Sequence, residues 1–386
     1  MKNRLFIIRG NVVTPYQVLQ KGFLLVEEGF IKEVAPATSI SLHLLNENGP
    51  VFDFDNFYLF PGLIDLHIHG AVGEDFMDGS PEGIERITTF LLQHGVTRFL
   101  ATTLTESKER TERAIEAMVS CKKLFPSILG IHLEGPYLSP ERRGAQNASF
   151  LRKPDLNEIK EFIALGEGLI KRVTIAPELD NALDIVEYLT SQDILVSLGH
   201  STADYRISFQ AFLKGARLVT HLFNGMDPLH HRSPNLLAFA LGFEGICVEM
   251  IADLIHVSPE IMKIALLCKR NRLILISDAI RATGLQDGMY EMGGEMMEMK
   301  DGIARMVSTG SLAGSTLTLD QALYNLKQLF DLPLPELARM ASLLPAKLLK
   351  IDDRLGSLEK NKIADIVVFD ENFRVQGVFQ EGRKIL

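Results

Sequence analysis

From about residue 60 onward the chain repeats one pattern eight times: a short apolar run, then a polar or amphipathic stretch. The runs are "LIDLHIHG", "VTRFLATTL", "ILGIHLEGP", "RVTIAPE", "ILVSLGHS", "RLVTHLFNG", "ICVEMIAD" and "RLILISDAI". Runs this short and this apolar are what parallel strands look like when helices cover both faces of their sheet. The intervening stretches, "PEGIERITTFLLQHG" among them, place apolar residues at the three- and four-residue spacing of a helix with one buried side. Eight such units in succession predict an α/β fold, a (β/α)8 TIM-like barrel.

The two ends of the chain read differently. The first sixty residues hold "RLFIIRG", "GFLLVEEGFIKEV" and "VFDFDNFYLF", β-rich runs separated by Gly, Pro and Asn turns with no helical period. After "ASLLPAKLLKI", which reads as a last helix, the tail returns to short strands and turns. Both ends therefore pair into one small β-sandwich domain, residues 1–58 with 352–386, beside a barrel of residues 59–351. Within the barrel segment the Met-rich stretch "MYEMGGEMMEMK" reads as a β-hairpin or an adaptable apolar flap.

Composition narrows the function classes. A net charge of -9 argues against nucleic acid as a partner, because phosphate-backbone binding needs Lys and Arg concentrated on one face. No stretch has the apolar length to span a bilayer, and the N-terminus lacks an apolar signal core, so no membrane association is expected and the chain reads as cytoplasmic. Cys121, Cys247 and Cys268 lie far apart without CxxC spacing, which excludes a disulfide framework and a thiolate zinc site and leaves them as core thiols.

The chemistry gathers at strand ends. His67 and His69 close the first run, Glu134 the third, His200 the fifth, His221 the sixth, Asp253 the seventh and Asp278 the eighth. The C-terminal ends of barrel strands carry the active site, so these residues converge although two hundred positions separate them. Imidazole and carboxylate together suit Zn²⁺, Fe²⁺ and similar divalent ions, and the lack of thiolates fits a catalytic site. Side chains alternate along a strand, which puts His67 and His69 on one face where both can grip one ion. Each residue alone has a blander reading: the histidines as hydrogen-bonded core residues or helix N-caps, Glu134 as half of a buried ion pair.

These runs, with "GIHLEGPYLSPERRGAQN", "LGHSTA", "THLFNGMDPLHHRSP", "SDAIRATG" and "LAGSTLTLDQAL", resemble the amidohydrolase superfamily and, within it, the N-acetylglucosamine-6-phosphate deacetylases. The resemblance covers essentially the whole chain. It implies removal of acetyl from N-acetyl-D-glucosamine 6-phosphate, an amino-sugar phosphate, to give D-glucosamine 6-phosphate and acetate. It implies Glu134, His200 and His221 as ligands of a principal ion, with His67 and His69 holding a second, so one or two ions per chain, and Asp278 close to both as general base and acid. It further implies a phosphate pocket at Asn224, Gly225 and Arg232, the arginine reaching in from the neighbouring subunit of a homodimer. His256 matches a sugar-binding histidine, Ala145 lies beside Gln146 in the pocket, and Leu312, Ala313 and Gly314 match a lining loop. Gln146 departs from the pattern, since many relatives carry there a histidine that polarises the substrate carbonyl, and a second metal can take over that work. The alternatives are an N-acetylgalactosamine-6-phosphate deacetylase, an amidohydrolase acting on a cyclic amide, or a barrel retained as a non-catalytic binding module.

Overall fold

A computed structural model describes residues 5–36, 38 and 49–386. The segment 39–48, which the sequence reading assigns to the N-terminal β unit, and Arg4 of the "RLFIIRG" run lie outside the described residues. Two compact units divide the chain, one of Leu66–Phe90 and Phe99–Leu317, the other of Met1–Asp65, Leu91–Arg98 and Thr318–Leu386.

The N-terminal strands are β1 (Leu5–Val13), β2 (Val18–Glu27), β3 (Phe30–Pro36) and β4 (Val51–Pro61). All eight apolar runs then form strands: β5 (Leu63–Ile68), β6 (Val96–Thr103), β7 (Ile128–Glu134), β8 (Ile170–Ile175), β9 (Leu195–Leu198), β10 (Leu218–Val219), β11 (Cys247–Ile251) and β12 (Leu273–Ile276). They make one eight-stranded sheet in sequence order, every neighbouring pair for which a register is defined being parallel. The two ends of that sheet meet. Asp278 N–H donates to the His67 carbonyl at 2.9 Å, and the N–H groups of His69 and Gly70 donate to the Ala279 carbonyl at 2.8 and 3.1 Å. The fold is a (β/α)8 barrel.

The helices between strands form for local reasons. In Leu156–Leu165 the Asp155 carboxylate accepts the N–H groups of Asn157 and Glu158 at 2.7 and 3.3 Å, satisfying donors that the first turn leaves open. Ile159 and Phe162, three apart, are its buried side, and Gly166 follows its last residue. The Met-rich stretch is a hairpin of β13 (Gly288–Met292) and β14 (Glu295–Lys300), extended by β15 (Ile303–Met306). Its turn is Gly293–Gly294, with φ of +58° and +79°, values a two-residue hairpin turn of this kind requires and glycine adopts without penalty.

The tail supplies β16 (Ile366–Phe369), β17 (Val375–Gln380) and β18 (Arg383–Lys384). Both ends of the chain thus share one seven-stranded sheet, ordered β18-β17-β16-β4-β1-β2-β3. Its core is Phe6, Ile8, Val12, Leu24, Val26, Leu59, Ile366, Val368 and Phe379, all buried, with the Phe6 and Phe379 rings stacked 5.8 Å apart.

The expectation of three core thiols fails at Cys268. Cys121 and Cys247 are buried, but Cys268 is exposed. The helix Pro259–Lys269 buries Met262, Ala265, Leu266 and Lys269, a stripe spaced three, one and three residues that leaves position 268 on the solvent side.

Candidate functional site

Strand β7 ends on Glu134, whose carboxylate is the hub of the site. Its Oε1 lies 3.2 Å from His67 Nε2, 3.4 Å from His200 Nε2 and 3.2 Å from His221 Nε2, while its Oε2 lies 3.3 Å from His69 Nε2. Two overlapping groups result, His67–His69–Glu134 and Glu134–His200–His221, all buried and each spaced to hold a cation. Asp278 joins the first through Oδ1, 3.4 Å from His67 Nε2 and 3.3 Å from His69 Nε2. His67 is on its strand, whereas His200, His221 and Asp278 follow theirs by two residues. These three have φ of +47°, +28° and +51°. Side chains other than glycine adopt such backbone at a cost of about 1–3 kcal/mol each, and residues held that way concentrate at functional sites.

Hydrogen bonds fix which ring nitrogen faces inward. His200 Nδ1 donates to the Arg142 carbonyl at 2.8 Å, and His221 Nδ1 donates to the Asn224 carbonyl at 3.0 Å. A carbonyl only accepts, so both protons sit on Nδ1 and both Nε2 lone pairs point at each other across 3.0 Å. Glu134 Oε1 adds a third lone-pair donor and, among the described residues, has no hydrogen-bond partner. Two imidazole lone pairs, neither bearing a proton, converge with Glu134 Oε1, an arrangement that fits a divalent cation. An ion there supplies Lewis acidity, making water more acidic and polarising a carbonyl oxygen.

The second group is held by charge. Burial works against a proton on His67, but the Glu134 and Asp278 carboxylates outweigh it and raise its pKa to about 10; the same balance, led by hydrogen bonding to Asp278 and Glu134, raises His69 to about 9. The carboxylates are lowered in return. Burial opposes charge on Asp278, yet His67 and His69 keep it below the usual carboxylate range. A cation bound to these imidazoles replaces protons, so binding and pH are linked.

Above the cluster opens a cavity of about 300 Å³, small-metabolite size, lined by His69, Glu134, His200, His221 and Asp278. Ala145, Gln146, Asn224, Gly225, His256, Leu312 and Gly314 also line it. Asp253 does not. Its carboxylate instead accepts His256 Nδ1–H at 2.7 Å, leaving His256 Nε2 as the ring's other polar atom. His67 is fully buried and, unlike His69, does not line the cavity.

Residues 58–385 match the Amidohydrolase family. The chain belongs to that family. It is 36% identical over 371 residues to N-acetylglucosamine-6-phosphate deacetylase of Bacillus subtilis, covering 94% of this chain and 92% of the relative. It is 35% identical over 371 residues to N-acetylgalactosamine-6-phosphate deacetylase of Escherichia coli O157:H7, covering 95% and 98%. Among solved structures, a variant of N-acetyl-D-glucosamine-6-phosphate deacetylase from Mycobacterium smegmatis in complex with N-acetyl-D-glucosamine-6-phosphate superposes with a TM-score of 0.93 at 30% identity, covering 99% of both chains.

Within this amidohydrolase Gln146 is held from both sides. Its Oε1 accepts the Thr105 N–H at 2.8 Å and its Nε2 donates to Glu134 Oε2 at 2.7 Å. The amide therefore orients the hub carboxylate, a contact that spacing in sequence does not reveal. Besides His67 and Asp253, two further residues named from the sequence are not in the cavity wall. Ala313 is buried, its N–H donating to the Ala304 carbonyl at 3.0 Å, and Arg232 is exposed, its guanidinium 2.7 Å from His231. Sequence reasoning missed Gly144, Phe223, Met292 and Ser311, all of which line the cavity of the amidohydrolase. Met292 had a signal, the Met-rich hairpin, whose unusual composition pointed to a flap but not to what it faces.

Proposed function

We propose that this amidohydrolase removes the acetyl group of N-acetyl-D-glucosamine 6-phosphate, giving D-glucosamine 6-phosphate and acetate in amino-sugar catabolism or recycling. The observation that carries the reading is the convergence of Glu134, His200 and His221 lone pairs beside the ionised Asp278 at the floor of a small-metabolite cavity. Relatives with this activity over nearly the whole chain supply the substrate class.

Glu134, His200 and His221 would hold a principal ion, Zn²⁺ or Fe²⁺, and His67 and His69 a second that shares Glu134. Asp278 is the acid and base. Ionised at neutral pH, it takes a proton from water as oxygen adds to the acetyl carbon, then delivers it to the departing amine, which leaves poorly as an anion. His256 presents a ring nitrogen to the sugar, and Leu312 with Gly314 contributes to the cavity wall. At the phosphate end the Asn224 N–H is engaged by the His221 carbonyl at 2.9 Å, so the turn offers the Gly225 N–H and the second hydrogen of the Asn224 amide, whose first is given to the Leu222 carbonyl at 3.2 Å. The remaining charge would come from Arg232 of a second subunit in a homodimer, consistent with a guanidinium that is exposed in its own chain. A phosphate ester does not cross membranes unaided, which favours a cytoplasmic enzyme. The reading assigns catalysis to residues 59–351 and a supporting role to residues 1–58 with 352–386.

N-acetylgalactosamine 6-phosphate is the second candidate substrate, favoured by the Escherichia coli relative. Acetate release and free amine measured with both epimers on metal-loaded protein test the assignment. A kcat/KM higher for the gluco epimer is expected. A preference for the galacto epimer selects the second reading, and no acetate from either ends both.

A further inference from the structure

Beneath the candidate ligands, inside the barrel, lies a fully buried ion pair that none of the roles above uses. Arg172 on β8 and Glu249 on β11 are both inaccessible to solvent. The guanidinium grips the carboxylate with both ends: Nη1 donates to Glu249 Oε1, and Nη2 donates to Oε2 at 2.8 Å. Its other donors reach the Ser197 hydroxyl at 3.1 Å, the Leu66 carbonyl at 3.0 Å and the Thr220 hydroxyl at 3.0 Å. All five guanidinium N–H groups are thus engaged.

The partners are not scattered. Leu66 immediately precedes His67, Thr220 immediately precedes His221, and Ser197 stands three residues before His200. Glu249 touches the ligands themselves. Its Oε2 lies 3.5 Å from His67 Nδ1 and accepts the His221 N–H at 3.3 Å. A carboxylate only accepts, so the proton of neutral His67 belongs on Nδ1 and its Nε2 lone pair turns toward Glu134 and Asp278. Stability alone is a poor reason for such a pair, since apolar residues of similar volume often replace a buried Arg–Glu pair without loss.

We propose that Arg172 and Glu249 are a positioning unit for the cation centre: Glu249 sets the His67 tautomer and holds the His221 backbone, and Arg172 locks Glu249 while tying together the strands that carry His67, His200 and His221. The inference rests on His67 and His69 forming a second cation site. It acts through the ligands, and neither residue reaches the cavity wall.

Two double variants separate positioning from packing. Arg172→Met with Glu249→Leu removes the pair at similar volume, and Arg172→Met with Glu249→Gln restores an oxygen acceptor for His67 Nδ1–H. Each protein is stripped with chelator, reloaded with Zn²⁺ and titrated against a chromogenic chelator, with thermal melting as the control for folding. The parent is expected to take two ions. The Leu variant should melt cooperatively yet bind its weaker ion roughly 10–100-fold less tightly, as when support to a metal ligand is lost, and the Gln variant should recover most of that. Equal affinities in the folded Leu and Gln variants overturn the inference. A parent that takes only one ion brings down the two-site reading instead. Nitrogen spectra of ¹⁵N-histidine-labelled, loaded parent, with the His67 signals assigned by their loss in His67→Asn, need no variant of the pair to fold and no particular ion count. A protonated Nδ1 and bare Nε2 at His67 support the proposal, and the opposite tautomer overturns it.

Discussion

At the scale of single residues the site is tight enough that small changes reach the proposed ligands. Gly225 has φ +62°, and a Cβ there would lie 2.8 Å from His200 Nδ1. Gly225→Ala should therefore push the imbalance onto His200, lowering bound metal and kcat together, with loss of activity on the order of 10–100-fold; unchanged metal content would show that the ring moves aside freely. Gln146→Leu removes both the acceptor for Thr105 N–H and the donor to Glu134, leaving buried groups unpaired. It should cost about 1–3 kcal/mol of stability in a denaturant melt and weaken metal retention as well. Asp278→Asn keeps the shape while removing the proposed base, so kcat should fall by roughly 10²–10⁴ with KM little changed. Near-parental turnover in that variant would move the acid–base role elsewhere. Arg232→Ala should raise KM for the sugar phosphate more than it lowers kcat if the guanidinium completes a neighbouring pocket.

At the scale of elements, what carries the site is the way strand ends and loops are tied. The loop from Tyr137 to Arg152 brings Ala145 and Gln146 to the cavity, and the start of the helix Leu156–Leu165 anchors it. Glu158 in the first turn accepts the Tyr137 hydroxyl at 2.6 Å and Arg152 Nε at 2.9 Å, while Arg152 also donates to the carbonyls of Glu106 and Phe150 at 2.8 and 2.9 Å. Losing the cap should be felt there. Asp155→Ala is expected to cost about 0.5–2 kcal/mol, and hydrogen exchange should speed up first in this helix and the loop before it. On the far side, Asn147 Nδ2 donates to the Gly293 carbonyl at 2.9 Å, joining the same loop to the turn of the Met-rich hairpin.

At the scale of the whole molecule, metal, protons and stability are one linked system. His67 and His69 rise from an ordinary value of 6.5 to about 10 and about 9 in the folded, metal-free protein. Groups whose folded pKa lies above the unfolded one stabilise the fold fully below about pH 6.5, and that contribution is lost as pH climbs through 9 to 10. Chelator-stripped protein should accordingly melt at progressively lower temperature between pH 7 and 10. Metal-loaded protein, in which His67 and His69 as proposed ligands would be neutral, should lack that decline, so the gap between the two melting curves should widen with pH. Loading should also release protons and weaken on acidification. A stripped protein with a flat profile over this range would mean that the two imidazoles are not charged in the fold.

Much of this is legible in the sequence. Eight apolar runs of strand length, each followed by a stretch of helical spacing, leave few folds other than a parallel barrel, and parallel topology sends every strand end to the same side. That is why His67, His69, Glu134, His200, His221 and Asp278 can be gathered from the sequence alone: their convergence follows from local pattern and a single topological rule. What local pattern cannot carry is any relation set by a distance between atoms far apart in the chain. The proton on Nδ1 of His200 depends on the Arg142 carbonyl, Gln146 is a brace for Glu134 only because Thr105 holds its other end, and Cys268 is exposed because of which helix side meets the core. Arg172 and Glu249 are the extreme case, two charged residues in apolar runs 77 positions apart whose meaning appears only when the barrel closes around them. The sequence by itself determines which residues stand at the strand ends; tertiary structure decides which lone pairs face each other, because hydrogen-bond direction and tautomer are properties of packed atoms and not of periodicity.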